Sequence, residues 1–250
     1  MSERKVKITN MTELPYAMEE AMNRLRINIG FLGNDIRKIM VISTMPNEGK
    51  SFIALHLWEQ MVKSGTSAVY LDADLRKSIT IEKYGMEVEG KGKLEGTSQY
   101  LAGNKPIQEC IYHTDIEGGD ILPNVENVIN PSMLLESKRF SEMLDYMGEN
   151  YRYTFIDSPP LNLVSDGERI GSMCDGAVLV VRGGETSKNM VRSSIQMLER
   201  SGCKLLGIVL NRVKGSKGGY YYKRYGGYYG GRYGYGYGYG EKYYYYSDKK

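Results

Sequence analysis

Four apolar residues, Ile39-Met40-Val41-Ile42, run without interruption into the loop Ser43-Thr44-Met45-Pro46-Asn47-Glu48-Gly49-Lys50-Ser51, and a helical stretch follows from Lys50 to Lys63. Strand, loop and helix in that order confine the chain to folds that cover both faces of a strand and leave its carboxyl end open. Four more runs share the pattern. Ala68 to Leu71 enters Asp72, Tyr153 to Ile156 enters Asp157, Ala177 to Val181 enters Arg182, and Leu206 to Leu210 enters Asn211. Each run is apolar on successive residues rather than alternate ones, as in strands buried on both faces. Helical spacing at Leu134–Met147 and Lys188–Ser201 supplies crossovers, so the expectation is an α/β fold, a doubly wound and mostly parallel sheet with helices on both faces. Leu14, Met18, Met22, Leu25, Ile29 and Leu32 predict an amphipathic helix from about Tyr16 to Leu32. The stretch from Glu82 to Asn130 is read only as helices and loops at one edge.

In such sheets, chemistry gathers outside the carboxyl ends of the strands. The loop ending Gly49-Lys50-Ser51 then reads as the phosphate-binding loop of a P-loop NTPase. Backbone amides and the helix N-terminus wrap the phosphates, Lys50 reaches the β and γ oxygens, and the Ser51 hydroxyl ligates Mg²⁺. Pro46, Asn47, Glu48, Gly49, Lys50, Ser51 and Phe52 are therefore the expected nucleotide-binding residues, with ATP and Mg²⁺ as cofactors. Thr44 stands where the first glycine is usual, and Asn47 where a glycine would be easier, though Asn tolerates the left-handed conformation well.

Val69-Tyr70-Leu71-Asp72-Ala73-Asp74-Leu75-Arg76 places two acids at the end of one strand, and Tyr153-Thr154-Phe155-Ile156-Asp157 places a third at the end of another. If both strands flank the P-loop strand, their carboxylates converge on Mg²⁺ and on the in-line position beyond the γ-phosphate. Phosphoryl transfer needs positioning, charge neutralisation and a base near the nucleophile. Lys50, Asp72, Asp74 and Asp157 are the candidate catalytic set. Asp157 holds Mg²⁺ through water, Asp72 serves as base or metal ligand, and Asp74 serves the metal and the loop.

Charge divides the chain. Residues 214–250 hold eight basic and two acidic side chains, a net +6, against 25 basic and 28 acidic, a net −3, in residues 1–213. The basic excess lies wholly in the C-terminal segment, so nothing marks the core as nucleic-acid binding. Of 22 tyrosines, 14 fall in that segment: Tyr220, Tyr221, Tyr222, Tyr225, Tyr228, Tyr229, Tyr233, Tyr235, Tyr237, Tyr239, Tyr243, Tyr244, Tyr245 and Tyr246. Interleaved with Gly and basic residues, it lacks the aliphatic side chains to build a core, so a P-loop ATP-binding domain at 1–213 and a flexible tail at 214–250 are expected. The 37-residue tail has an rms reach of roughly 30–37 Å. Cys110, Cys174 and Cys203 are widely spaced and read as reduced thiols, and no apolar run is long enough to cross a bilayer, so a soluble cytoplasmic chain is expected.

The ordered set resembles the bacterial tyrosine kinases of capsular and exopolysaccharide synthesis, with their modified Walker A loop, D-x-D Walker A′ and Walker B. It runs from Arg24-Leu25-Arg26-Ile27-Asn28-Ile29 past Gly96 to Gly103, Asn130-Pro131-Ser132, Ser137-Lys138-Arg139-Phe140, Ser158-Pro159-Pro160 and Ser165-Asp166 to Gly207–Val213 and the tyrosine cluster. The resemblance implies an ATP-dependent kinase that autophosphorylates its tail tyrosines between subunits and regulates polysaccharide synthesis. It implies a membrane-anchored polysaccharide co-polymerase adaptor as activator, recruitment of a cytoplasmic chain to the membrane, and a cognate tyrosine phosphatase. It also implies a homo-oligomeric ring through an E-x-x-R-x-x-R motif, here Glu20, Asn23 and Arg26 without the middle arginine. By the same resemblance Asn211 and Arg212 occupy an adenine-contacting position. The alternative on the same fold is a ParA/MinD-like ATPase that activates water and uses the tail as an assembly tether.

Overall fold

The protein is described by a computed structural model that covers residues 4–90 and 92–213. The tail and its tyrosines, Tyr220 to Tyr246, lie outside the described residues. Strand β1 (Val6–Ile8) and helix α1 (Tyr16–Gly30) precede the P-loop strand β2 (Lys38–Ser43) and helix α2 (Lys50–Lys63). Then come β3 (Ala68–Asp72), α3 (Thr80–Tyr84), β4 (Met86–Val88), α4 (Thr97–Leu101), β5 (Tyr112–His113) and β6 (Gly119–Leu122). The order continues with α5 (Ser132–Leu135), α6 (Lys138–Asn150), β7 (Tyr153–Asp157), α7 (Asp166–Gly171), β8 (Gly176–Arg182), α8 (Lys188–Arg200) and β9 (Leu205–Asn211).

Seven strands form one sheet in the order β5-β6-β3-β7-β2-β8-β9, parallel except for β5, and β1 pairs with β4 in a separate antiparallel ribbon. The unbroken apolar runs feed two cores. On β2, Met40 and Ile42 pack into the core that contains Phe140, Met143 and Leu198, while Ile39 and Val41 pack into the one that contains Trp58, Met61 and Phe155. A strand buried on both faces needs every residue apolar, which is the pattern the sequence carries.

Four expectations require correction. The strand ending at Asp72 does not flank the P-loop strand, because β7 lies between β3 and β2. The helix expected over Leu134–Met147 is broken into α5 and α6. Ser137 is extended there (φ −68°, ψ 153°) and its hydroxyl donates to the Leu134 carbonyl at 2.6 Å, the local competition by which serine interrupts helices. The region from Glu82 to Asn130 contains strands, with β6 pairing in parallel beside β3 and β5 closing that edge. Its runs are two to four residues long, too short to show a period. Finally, β9 is an edge strand that is not covered on both faces, and Ile208 and Leu210 are exposed.

Candidate functional site

The site is built from the carboxyl ends of β2, β3, β7 and β9. Asp72 and Asp157 are register partners on β3 and β7, and Val41 of β2 is the next partner of Asp157. The carboxylates therefore converge although β3 is one strand away from the P-loop strand. Lys50, the first residue of α2, extends its Nζ to 2.9 Å from Asp74 Oδ2 and 3.5 Å from Asp157 Oδ1. It also stands 3.4 Å from the Ser51 hydroxyl. All four predicted catalytic residues are thus within one cluster.

The P-loop takes its shape from two left-handed turns and from bonds to distant residues. Asn47 adopts φ +62° and Gly49 φ +98°, the left-handed turns that carry the backbone around the loop. A side chain at Gly49 would also collide with Asn211, whose Nδ2 lies 2.2 Å from where a Cβ would sit. That same amide donates to the Glu48 carbonyl at 2.8 Å, so Asn211 fastens the loop to the end of β9. Glu48 is buried and its carboxylate turns inward. It accepts from the Met45 N–H at 2.8 Å, from the Arg182 N–H at 3.2 Å and from the Thr186 hydroxyl. Thr44, in place of the usual glycine, is buried with its hydroxyl accepting from Ser194 at 3.2 Å. No side chain caps the N-terminus of α2, which leaves its first amides to an anion.

Electrostatics sort the acids. Burial pushes the Asp72 carboxyl up to about 7, with the neighbouring Asp157 adding to the effect. Burial also raises Asp157, against the pull of Lys50. For Lys50, burial works against the charged form, but Asp157 and Asp74 outweigh it and hold the ammonium above its ordinary range. Asp72 is fully enclosed, with its oxygens accepting from the Ser78 hydroxyl and from the Asp74 N–H at 3.2 Å. Asp74 instead lines an open cavity of about 530 Å³, together with Pro46, Asn47, Gly49, Lys50, Ser51, Phe52 and Arg212. Asp72, Asp157, Glu48 and Asn211 are not in its lining and act from beneath it.

Several participants were not read from the sequence. Tyr70, fully buried on β3, donates its hydroxyl to Asp157 Oδ2 at 3.0 Å. A tyrosine in an otherwise aliphatic run was the available signal, since a buried phenol needs a partner. Lys83 lies 4.9 Å from the Tyr84 ring centroid and 5.9 Å from that of Phe52, and lines the cavity. Burial and the neighbouring Arg212 lower its pKa. Among the described residues no group of three His, Cys, Asp or Glu side chains forms a ready metal site. The Ser51 hydroxyl beside the Asp157 carboxylate suits Mg²⁺, which keeps waters and substrate oxygens in its shell and takes only one or two carboxylates.

No protein-family model matches the chain. Tyrosine-protein kinase CpsD of Streptococcus agalactiae is 33% identical over 209 residues, 83% of this chain and 90% of the relative. The chain belongs to the bacterial tyrosine-kinase family of capsular and exopolysaccharide synthesis. Among solved structures, the chimerical protein CapA2B2 matches this tyrosine kinase at 31% identity and a TM-score of 0.71, covering 78% of this chain and 85% of that one. The kinase domain of the Escherichia coli tyrosine kinase ETK matches at 26% identity and a TM-score of 0.70, covering 80% and 79%. The septum site-determining protein MinD of Pyrococcus horikoshii, complexed with Mg-ADP, shares the fold alone at 21% identity and a TM-score of 0.61, covering 73% and 72%. On α1 of the kinase, Arg26 donates to Asn23 Oδ1 at 2.8 and 3.1 Å, so the residue that replaces the motif's middle arginine is bonded within its own helix. No described helix is long and apolar enough to cross a membrane.

Proposed function

We propose that this kinase transfers the γ-phosphoryl group of ATP to tyrosines of its own segment 220–246, between copies of the chain. The observation that carries the reading is that Arg212, eight residues before the segment begins, lines the same cavity as Lys50, Ser51 and Asp74. The last described strand ends beside the P-loop. Strand β9 runs parallel to β8, and Asn211 is bonded to the loop itself.

The backbone from Pro46 to Phe52 with Lys50 would hold the phosphates of ATP, and Ser51, with Asp157 through water, would hold Mg²⁺ while Asp72 supports the site from beneath. ATP supplies the phosphoryl group. The bond from phosphorus to the β,γ-bridging oxygen breaks as the bond to the phenolic oxygen forms, and ADP leaves. The phenol, with an ordinary pKa of about 10, must give up its proton. Asp74 is the carboxylate that lines the cavity, so it receives the proton, and Asp72 beneath organises the loop through the Asp74 N–H. These roles exchange those the sequence suggested. Tyr70 holds Asp157 from below, and Lys50 neutralises charge on both sides of the transfer. Arg212 sets the rim on the side where the base of the nucleotide would lie, and Asn211 holds the loop from beneath.

A membrane-anchored adaptor would activate the chain and recruit it from the cytoplasm to the membrane, a tyrosine phosphatase would reverse the modification, and copies would associate through α1. Each phosphotyrosine adds about −1.5 to −2 charges, so about three or four cancel the +6 of the segment. Loss of attraction to the −3 core then loosens assembly. Equal assembly of phosphorylated and unphosphorylated chains would count against that switch. For the reaction itself, γ-labelled ATP decides: label on residues 220–246 supports the kinase, whereas release of phosphate with no labelled tyrosine supports a water-activating ATPase.

A further inference from the structure

The cavity beside the P-loop has a second wall of different chemistry. Ile79 and Leu163 line it at 51% and 57% exposure, with Pro160 also in the lining. Large aliphatic side chains scattered singly over a surface need no explanation. Two that open onto one phosphate-binding cavity do, because phosphates, ribose hydroxyls and a hydrated cation gain nothing from them. A flat aromatic ring does gain.

Both side chains are carried on a braced frame. Ile79 closes the loop after β3, where the Ser78 hydroxyl donates to Asp72 and the Ser78 N–H donates to Asn127 Oδ1 at 3.0 Å. Leu163 lies in the loop after β7, where the N–H groups of Leu161 and Asn162 donate to the Ser43 and Thr44 carbonyls at 2.9 and 3.2 Å. The two loops are joined by the forked guanidinium of Arg76 on Asp166, with Nη2 at 3.0 Å from Oδ1. Asp166 is 3% exposed, and a bidentate pair in that setting fixes relative position as well as charge.

Resting on the kinase reading above, we infer that Ile79 and Leu163 seat the ring of the acceptor tyrosine and turn its hydroxyl toward Asp74. The occupant is a tyrosine of the chain's own segment 220–246. That segment begins eight residues after Arg212, which follows β9 and lines the cavity. The seat also explains selection of tyrosine over serine: a serine has no ring to bury against the two side chains.

The test uses the full-length chain, γ-labelled ATP and a peptide with the sequence of residues 240–250, which carries four adjacent tyrosines. Ile79→Ser and Leu163→Ser alter exposed side chains. Each should raise KM for the peptide about tenfold, while affinity for a fluorescent ADP stays within about threefold. Ile79→Met and Leu163→Met, which keep an apolar contact, should hold KM near that of the unaltered chain. An unchanged KM in both serine variants overturns the seat. So does a parallel loss of peptide and nucleotide affinity, which would assign the wall to the nucleotide. If the unaltered chain labels no tyrosine at all, the kinase reading itself fails, and the seat falls with it before any variant is made.

Discussion

Replacing Lys50 by methionine should cost stability as well as activity, and the loss should depend on pH. Lys50 is shared by carboxylates of Asp74 at 2.9 Å and Asp157 at 3.5 Å, with side-chain exposures of 14%, 8% and 1% for the three residues. Removing one partner of a buried pair typically costs about 3–5 kcal/mol, most of it from the charge left behind. Asp72 already titrates at about 7, so the cluster can take up a proton and relieve part of the burden. That places the cost at pH 8 near the lower end, about 3 kcal/mol. For a domain of this size the melting temperature moves by about 2–4 °C per kcal/mol, so the expected fall is roughly 6–12 °C. The sign follows from linkage. Asp72 and Asp157 have folded-state pKa values above their unfolded ones, so their contribution to stability is complete below the ordinary carboxylate range. It is lost as pH rises through the folded value, near 7 for Asp72. Methionine at position 50 raises both groups further, so the deficit against the unaltered chain should be small at pH 5.5 and large at pH 8. Thermal denaturation at the two pH values measures it. Asp74→Asn in the same chain removes one of the stranded charges and should recover about half the deficit, a coupling of the order of 1–3 kcal/mol. Equal deficits at both pH values, or strictly additive effects of the two substitutions, would refute the shared buried cluster and return Lys50 to a purely ligand-facing role.

Asp72→Asn keeps the shape of the side chain and removes a buried charge, so at pH 8 the melting temperature should rise while tyrosine labelling falls roughly 10- to 100-fold, as for loss of a supporting group near a metal. Tyr70→Phe withdraws the donor from Asp157 Oδ2. It should destabilise the chain by about 1–3 kcal/mol and lower the rate of labelling, read by denaturant titration and by initial rates. Glu48→Ala strands the Met45 and Arg182 N–H groups and the Thr186 hydroxyl inside the protein. A loss of about 3 kcal/mol and weaker ADP binding by calorimetry are expected, although the side chain does not line the cavity.

The parts legible in the sequence share one property: their signal is local. A nine-residue loop between an apolar run and a helix announces a phosphate site, and four of the five runs apolar on successive residues announce strands covered on both faces, because each pattern is complete within a few residues of itself; the fifth, β9, lies at the edge. The observed α2 begins at Lys50 and ends at Lys63, as expected. Local reading fails where strands are too short to carry a period, as at β6, and where a serine can bond its own backbone, as at Ser137. It fails more deeply at the site. Tyr70 and Asp157 are 87 residues apart, Arg76 and Asp166 are 90 apart, and Glu48 meets Thr186 across 138. Each of those pairs exists because a parallel sheet returns every crossover to the same edge, so the carboxyl ends of β2, β3, β7 and β8 deliver side chains to one place whatever their distance along the chain. Candidate site residues can therefore be listed from motifs, but which carboxylate faces the cavity and which lies beneath it is decided by strand order. Inserting β7 between β2 and β3 sinks Asp72 and Asp157 under the loop, and it leaves Asp74, two residues beyond the strand's end, as the acid that lines the cavity.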